Sequence, residues 1–86
     1  MIDKFIEISQ HAREQMAERG AKEKEVLVAI REGEAKPTRS GRVVYRKNFQ
    51  FNGIWRGKSY TIKQVAPVVV EESEKLVVVT VYTFYF

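Results

Sequence analysis

The hydrophobic pattern of this chain changes its period at Gly41, and this change constrains the fold more than any other feature. Before it, the segment from Gln10 to Arg19 contains no glycine, proline or β-branched residue, so local preference favours a helix. Ser9 is a suitable N-cap for that helix, and Gly20 is suited to end it in a left-handed conformation. The sequence therefore predicts a first helix over residues 10–19.

A second helix is predicted from Lys22 to Glu32, with Gly33 as its stop. Only two or three residues separate it from the first helix, so the two form a tight αα-hairpin. Both helices are too short to be stable alone and need a surface to cover. The apolar face of the second helix is formed by Val26, Leu27 and Ile30.

After Gly41 apolar and polar residues alternate, which is typical of half-buried antiparallel strands. We expect three strands, over residues 43–51, 59–70 and 76–84. Asn52 and Gly53 are a strong signal for a two-residue hairpin between the first two. A longer irregular tip from Asn52 to Lys58 is the alternative, because Gly57 interrupts the returning strand early.

Three segments give weaker signals. Phe5–Ile8 alternates and is read as either a short strand or an extended lead-in. Glu34–Gly41 carries Pro37 and Gly41 and is predicted to be a loop. Pro67 cannot donate a hydrogen bond to a neighbouring strand, so its strand should lie at an edge or be bulged there.

These elements predict an α+β fold in a single domain over residues 1–86. An N-terminal two-helix hairpin would pack on one face of an antiparallel sheet of three or four strands. The opposite face would carry cations and hydroxyl groups from all three long strands. We expect that face to present Arg42, Arg46, Lys63, Thr80 and Tyr82, provided the register holds.

Charge is distributed unevenly along the chain. The segment from Lys36 to Lys63 carries eight cations and no acid, whereas each flank has a net charge of −2. Such a block is typical of a surface that meets a polyanion, above all a phosphate backbone, although a solvated face that only maintains solubility is the alternative. The cations are Lys36, Arg39, Arg42, Arg46, Lys47, Arg56, Lys58 and Lys63.

Several classes of site are not expected. The chain has no cysteine and only one histidine, His11, so a metal centre is not predicted. Gly41, Gly53 and Gly57 are too far apart to cradle a nucleotide, and no cofactor is expected. The residues 1–4 lack the apolar core of a signal peptide, and no apolar run could span a membrane. We therefore expect a soluble cytoplasmic protein.

Two short motifs are shared with a known family. The helix sequence SQHAREQMAERG, from Ser9 to Gly20, and the strand sequence VTVY, from Val79 to Tyr82, resemble the opening and closing elements of domain-of-unknown-function family 4258. That family is similar to the RelE-like superfamily of toxins, which includes ribosome-dependent mRNA interferases. The resemblance implies a RelE-like fold, RNA or the ribosome as target, and an acidic antitoxin as partner.

A metal-independent endoribonuclease would use the 2′-hydroxyl of RNA as its nucleophile. Arg46, with Arg42, is predicted to clamp the phosphate through its guanidinium group. Lys63 would stabilise developing charge or act as a base, and Tyr82 or His11 would donate the proton. His11, Gln15 and Arg19 lie on one side of the first helix, either as a row facing the ligand or as its polar face.

Two other functions remain open. The protein would be a non-catalytic RNA- or ribosome-binding module if the basic residues only hold the backbone, with Trp55 either stacking on a base or covering the end of the core. It would be a homodimer or other interaction protein if the aromatic segment Tyr82–Phe86 forms an interface. In either RNA hypothesis the binding residues are Arg39, Arg42, Lys47, Arg56, Lys58 and Trp55.

Overall fold

The computed structural model describes residues 4–86. The prediction about a signal peptide was drawn from residues 1–4 and lies almost entirely outside this range. Within residues 4–86, two helices and five strands follow one another. They are β1 (Phe5–Ile8), α1 (Gln10–Arg19), α2 (Glu23–Glu32), β2 (Glu34–Pro37), β3 (Val43–Trp55), β4 (Lys58–Glu71) and β5 (Lys75–Tyr85).

The strands form one mixed sheet in the order β1-β5-β4-β3-β2, with β1 parallel to β5 and the other pairs antiparallel. The predicted fold was therefore wrong: the helices follow a first strand, and the sheet has five strands rather than three or four. β1 joins the sheet because Ile6 and Ile8 align with Leu76 and Val78 and extend the core. That partner lies at the far end of the chain, where no local pattern reveals it.

The segment Glu34–Pro37 is strand β2 and not the expected loop. It pairs with residues 43–46 of β3, and all four of its side chains are exposed. A strand with no buried face shows no hydrophobic alternation, so its sequence resembled a loop.

The helix boundaries agree with the sequence prediction to within one residue. The Ser9 hydroxyl accepts a hydrogen bond from the backbone N–H of Ala12, and Gly20 ends α1 with φ of 78°. At the start of α2 the Glu25 carboxylate accepts from the backbone N–H of Lys22 at 3.0 Å. These are local interactions, and for that reason the sequence reveals them.

The hairpin between β3 and β4 turns at Arg56 and Gly57, whose φ angles are 50° and 82°. Trp55 pairs with Lys58 across this two-residue turn. Two-residue turns in which both central residues have positive φ angles match the twist of the strands that they join. The predicted turn at Asn52 and Gly53 was wrong, as was the irregular tip. Those residues lie at a register shift within β3 instead.

Pro67 lies in β4, a central strand, and its side chain is fully buried. The register between β4 and β5 shifts immediately after it, between Val68 and Val69. Pro67 itself pairs in register with Val81, and the extra residue at the shift is Val79 of β5. The irregularity thus lies beside Pro67 rather than at it, and the predicted edge position was wrong.

The core lies between the two helices and one face of the sheet. Among residues 4–86, no helix is both long and apolar enough to cross a membrane. The buried cluster comprises Ile8, Ala12, Met16, Ala21, Val26, Ile30, Val65, Val69, Leu76, Val78 and Val81.

Candidate functional site

The face of the sheet that points away from the helices carries a group of polar and aromatic side chains. Val65 and Val81 belong to the core, so the residues that alternate with them in β4 and β5 face the other way. The register aligns Asn48 with Gln64 and Gln64 with Phe84. We call this surface the open face and define it by Arg46, Asn48, Gln64, Thr80, Tyr82 and Phe84.

Arg46 is held in place on the open face by a short hydrogen-bond chain. Its Nη1 donates to Oε1 of Gln64 at 3.2 Å, and Nε2 of Gln64 donates to Oδ1 of Asn48 at 2.9 Å. The guanidinium carbon lies 5.7 Å from the centre of the Phe84 ring, a cation–π distance. The side chain remains exposed, so its other N–H groups are available to a ligand.

Two exposed aromatic rings lie beside Arg46. Tyr82 and Phe84 are 45% and 41% exposed, and their ring centres are 6.5 Å apart with planes inclined by 23°. The guanidinium carbon of Arg19 lies 5.2 Å from the centre of the Tyr82 ring. Two accessible aromatic rings, Tyr82 and Phe84, therefore lie with two arginines, Arg46 and Arg19. Of these four residues, the sequence predicted only Arg46 and Tyr82 for this face.

Helix α1 covers the edge of β5 beyond the point where β1 ends. Oε1 of Gln15 accepts from the backbone N–H of Val81 at 3.0 Å, and Nη1 of Arg19 donates to the Val81 carbonyl at 2.8 Å. Gln15 and Arg19 thus bind an exposed strand edge. His11, the third residue of that row, is exposed on α1 and is not part of the open face.

The carboxyl end of α1 is bound by side chains from the sheet. Arg56 donates to the Glu18 carbonyl at 2.9 Å, and the hydroxyls of Thr83 and Tyr85 donate to the Arg19 carbonyl at 2.9 and 2.8 Å. These carbonyls have no partner within the helix and carry its negative dipole end, so donors and cations are favourable there. Arg56, predicted to bind RNA, therefore has a structural partner.

Lys63 lies on the helix-covered face, and the prediction that it shares the open face with Arg46 was wrong. It is 4% exposed, donates to the Gly20 carbonyl at 2.9 Å and forms an ion pair with Glu25 at 2.8 Å. Its partners in the sheet, Phe49 and Tyr85, also face the helices. The alternation was misread because Thr61 and Ile62 both donate backbone hydrogen bonds to Phe86, which breaks the period.

Trp55 closes the end of the core. Its ring stacks on Tyr85 with centres 5.1 Å apart and planes inclined by 13°, and the Arg56 guanidinium lies 5.2 Å from its centre. Burial raises the pKa of the Tyr85 hydroxyl above its usual value. The indole ring is thus engaged within the protein, and of the two predicted roles for Trp55 the structure fits the core role.

The four predicted catalytic residues do not converge. Arg46 and Tyr82 share the open face, His11 lies on α1, and Lys63 is buried on the opposite side of the sheet. A proton donor, a base and a phosphate clamp must surround one phosphodiester group of the substrate. This arrangement does not bring them together.

Most cations of the central block are free of acidic partners. Among residues 4–86, the only members of that block in salt bridges are Lys63 and Lys47, the latter 3.8 Å from Glu32 on the helix side. Arg39, Arg42 and Lys58 are exposed. The predicted binding residues therefore divide into exposed cations and cations that the fold itself uses.

The sequence prediction missed Asn48, Gln64 and Phe84, and it considered Arg19 only as part of a row on the first helix. The alternation of β3 places Asn48 beside Arg46 on the polar side, and this signal was available. Gln64 and Phe84 required the pairing of β4 with its two neighbours, which only the structure supplies.

Two cavities flank the hairpin of β3 and β4, and neither has metal-ligand chemistry. Within residues 4–86 no group of three or more histidine, cysteine or acidic side chains could hold a metal ion. The larger cavity, of about 360 Å³, is lined by Asn52, Gly53, Ile54, Ser59, Tyr60 and Thr61. The smaller, of about 230 Å³, is lined by Glu18, Arg19, Trp55, Arg56, Thr83 and Tyr85.

The fold and this surface define a small α+β protein whose mixed sheet is covered by helices on one face and presents arginine, amide and aromatic groups on the other. The model of a family described as Domain of unknown function (DUF4258) matches residues 8–83. The chain therefore belongs to the DUF4258 family, and the resemblance drawn from its helix and closing strand is confirmed at that level. No curated protein and no solved structure matches it. Kinship with the RelE-like toxins stays a prediction.

Proposed function

We propose that this protein binds single-stranded RNA through its open face. The observation that carries the proposal is the position of Arg46, fixed over the Phe84 ring by Gln64 and Asn48 and left exposed beside Tyr82. A guanidinium group binds phosphate, and exposed rings stack on unpaired bases. The two groups lie side by side on one surface, which matches the alternation of phosphate and base along a strand.

A single strand fits this surface better than a duplex. Bases in a duplex are stacked on one another, so Tyr82 and Phe84 could not reach their faces. The exposed cations Arg39 and Arg42, at the turn between β2 and β3, would add contacts to the backbone that do not depend on sequence. RNA rather than DNA is proposed because of the predicted kinship with RelE-like toxins.

Binding is favoured over cleavage for a geometric reason. Lys63 is buried in an ion pair with Glu25 on the other side of the sheet, and His11 lies on α1 outside the open face. The predicted ribonuclease and its acidic antitoxin therefore have weaker support than a binding surface. A toxin would still be recognised by growth arrest when the protein is expressed without a partner.

The test is a titration of labelled single-stranded RNA, followed by fluorescence anisotropy, with single-stranded DNA and duplex RNA as competitors. Arg46→Gln should weaken RNA binding about tenfold, since it removes a charge-assisted contact and a cation–π pair. Arg31→Gln is the matched control, because it removes the same charge from an exposed site on α2. Equal losses in the two variants would reduce the effect to net charge and contradict the proposal.

The same samples should be separated by gel electrophoresis after incubation with RNA, both free and on ribosomes. The proposal predicts intact RNA. Cleavage products that disappear in Arg46→Ala would instead establish the ribonuclease predicted from the sequence. Absence of binding to any nucleic acid would remove both RNA hypotheses and leave an interaction protein.

A further inference from the structure

The smaller cavity lies where three elements meet at the end of the β5 edge. The carboxyl end of α1 contributes Glu18 and Arg19, the turn of the β3–β4 hairpin contributes Trp55 and Arg56, and β5 contributes Thr83. The cavity has a volume of about 230 Å³ and is broadly open to solvent. Its two arginines make it a candidate site for an anion.

Both arginines that line this cavity have N–H groups to spare. Arg19 gives one N–H to the Val81 carbonyl and Arg56 gives one to the Glu18 carbonyl, so each retains further N–H groups. The hydroxyl of Thr83, like that of Tyr85, already donates to a helix carbonyl. The Glu18 carboxylate opposes an anion, but the two arginines outnumber it.

Arg19 connects the cavity with the open face. It lines the cavity, and its guanidinium carbon also lies 5.2 Å from the centre of the Tyr82 ring. A base stacked on Tyr82 would therefore have its neighbouring phosphate near Arg19. An RNA strand that leaves the open face across the edge of β5 would therefore reach this cavity.

The contact between the hairpin turn and α1 forms one side of the cavity. The hydrogen bond between Arg56 and the Glu18 carbonyl joins the hairpin turn to α1, and Trp55 stacks on Tyr85 behind it. A terminal phosphate monoester carries a charge of about −1.5 to −2, more than the single charge of an internal diester, and suits two guanidinium groups better.

We infer that this cavity binds the terminal phosphate monoester of an RNA strand whose bases lie on the open face. The inference rests on the proposed function. It adds that the protein recognises RNA ends and that phosphorylation of the end strengthens binding.

The experiment compares one short single-stranded RNA in three forms: with hydroxyl groups at both ends, with a 5′-phosphate, and with a 3′-phosphate. One of the phosphorylated forms should bind about tenfold more tightly than the hydroxyl form. Which form gains shows the direction in which the strand lies. Equal affinity of all three forms would overturn the inference while leaving the proposed function intact.

Arg56→Gln should abolish the gain from phosphate, so that the phosphorylated and hydroxyl forms bind this variant with equal affinity. Lys58→Gln is the matched control, because Lys58 is an exposed cation on the same hairpin that does not line the cavity. Arg56→Lys should restore part of the gain, and the melting temperature of each variant shows whether it is folded. A gain that survives in Arg56→Gln, or falls equally in Lys58→Gln, would also overturn the inference.

Titration with inorganic phosphate tests the phosphate site independently of RNA binding. Its binding is followed through the indole N–H signal of Trp55, which should shift in the wild type and not in Arg56→Gln. If no RNA binds, the proposed function is wrong and the cavity does not bind an RNA end. If phosphate still shifts the Trp55 signal in that case, the cavity is an anion site for another ligand; if it does not, the cavity is not an anion site.

Discussion

The two faces of the sheet use their cations in different ways. On the helix-covered face Lys63 is buried between Glu25 and the Gly20 carbonyl, so its charge stabilises the junction of α1, α2 and β4. On the open face Arg46 has neutral partners only and stays exposed. The same basic segment therefore contains structural and accessible charges, and proximity in sequence does not separate them.

The largest expected effect concerns the buried charge. Lys63→Met should lower the free energy of unfolding by about 4 kcal/mol, because it leaves Glu25 poorly solvated and without its partner. Arg46→Met should change stability little. Urea denaturation of both variants measures the difference, and similar losses would contradict the division into two kinds of cation. Glu25→Gln combined with Lys63→Met should recover part of the loss.

The next largest effect concerns the packing around Gly20. Its φ of 78° already disfavours other residues, and an added Cβ would lie 2.7 Å from the Tyr85 hydroxyl and 2.8 Å from the Trp55 ring. Gly20→Ala should therefore cost about 3 kcal/mol of stability. Gly41 has the same φ with no atom within 4 Å of the added Cβ, so Gly41→Ala should cost only about 1 kcal/mol. Equal costs would show that the close packing is unimportant.

A smaller effect sharpens the account of the exposed cations. Replacing Arg39 and Arg42 together by glutamine should weaken RNA binding a few-fold and reduce the slope of log affinity against log salt by about 1.4. Stability should not change. The control replaces Lys24 and Arg31, two exposed cations of α2, in the same way. A slope that stays the same in the Arg39/Arg42 variant would exclude this turn from the interface.

The smallest effect is a pH dependence at the covered end of the sheet. Burial raises the pKa of Tyr85 in the folded state. Below the ordinary tyrosine pKa of about 10, ionisation of Tyr85 therefore leaves the free energy of unfolding unchanged. At higher pH the free energy of unfolding falls, because Tyr85 ionises more readily in the unfolded chain than in the folded one. Tyr85→Phe should remove this part of the fall. Denaturation at several alkaline pH values provides the measurement.

The sequence predicted the elements whose determinants are local. The caps at Ser9 and Gly20 defined α1, and the alternation in β3 placed Arg46 on a solvent-facing side. It failed where pairing decided the outcome. Asn52-Gly53 and Arg56-Gly57 can both form tight turns, and only the pairing of β3 with β4 selects the second.

The site was predictable to the same limited extent. Arg46 and Tyr82 were placed on one face because strand alternation is regular around them. Lys63 was placed on the wrong face because the irregularity at Thr61 and Ile62 has no signature in the sequence. The contacts of Arg19 with Val81 and Tyr82 join residues far apart in the chain, so only the folded structure reveals them.

The parallel pairing of residues 5–8 with residues 75–78 has a kinetic consequence. On the ribosome, β1 has no partner until residues 75–78 have been synthesised. Helices and the β3–β4 hairpin are short-range and can form first, whereas closure of the sheet must wait for β5. We expect the sheet of the nascent protein to stay incomplete at β1, so the slow step of maturation is the pairing of β1 with β5.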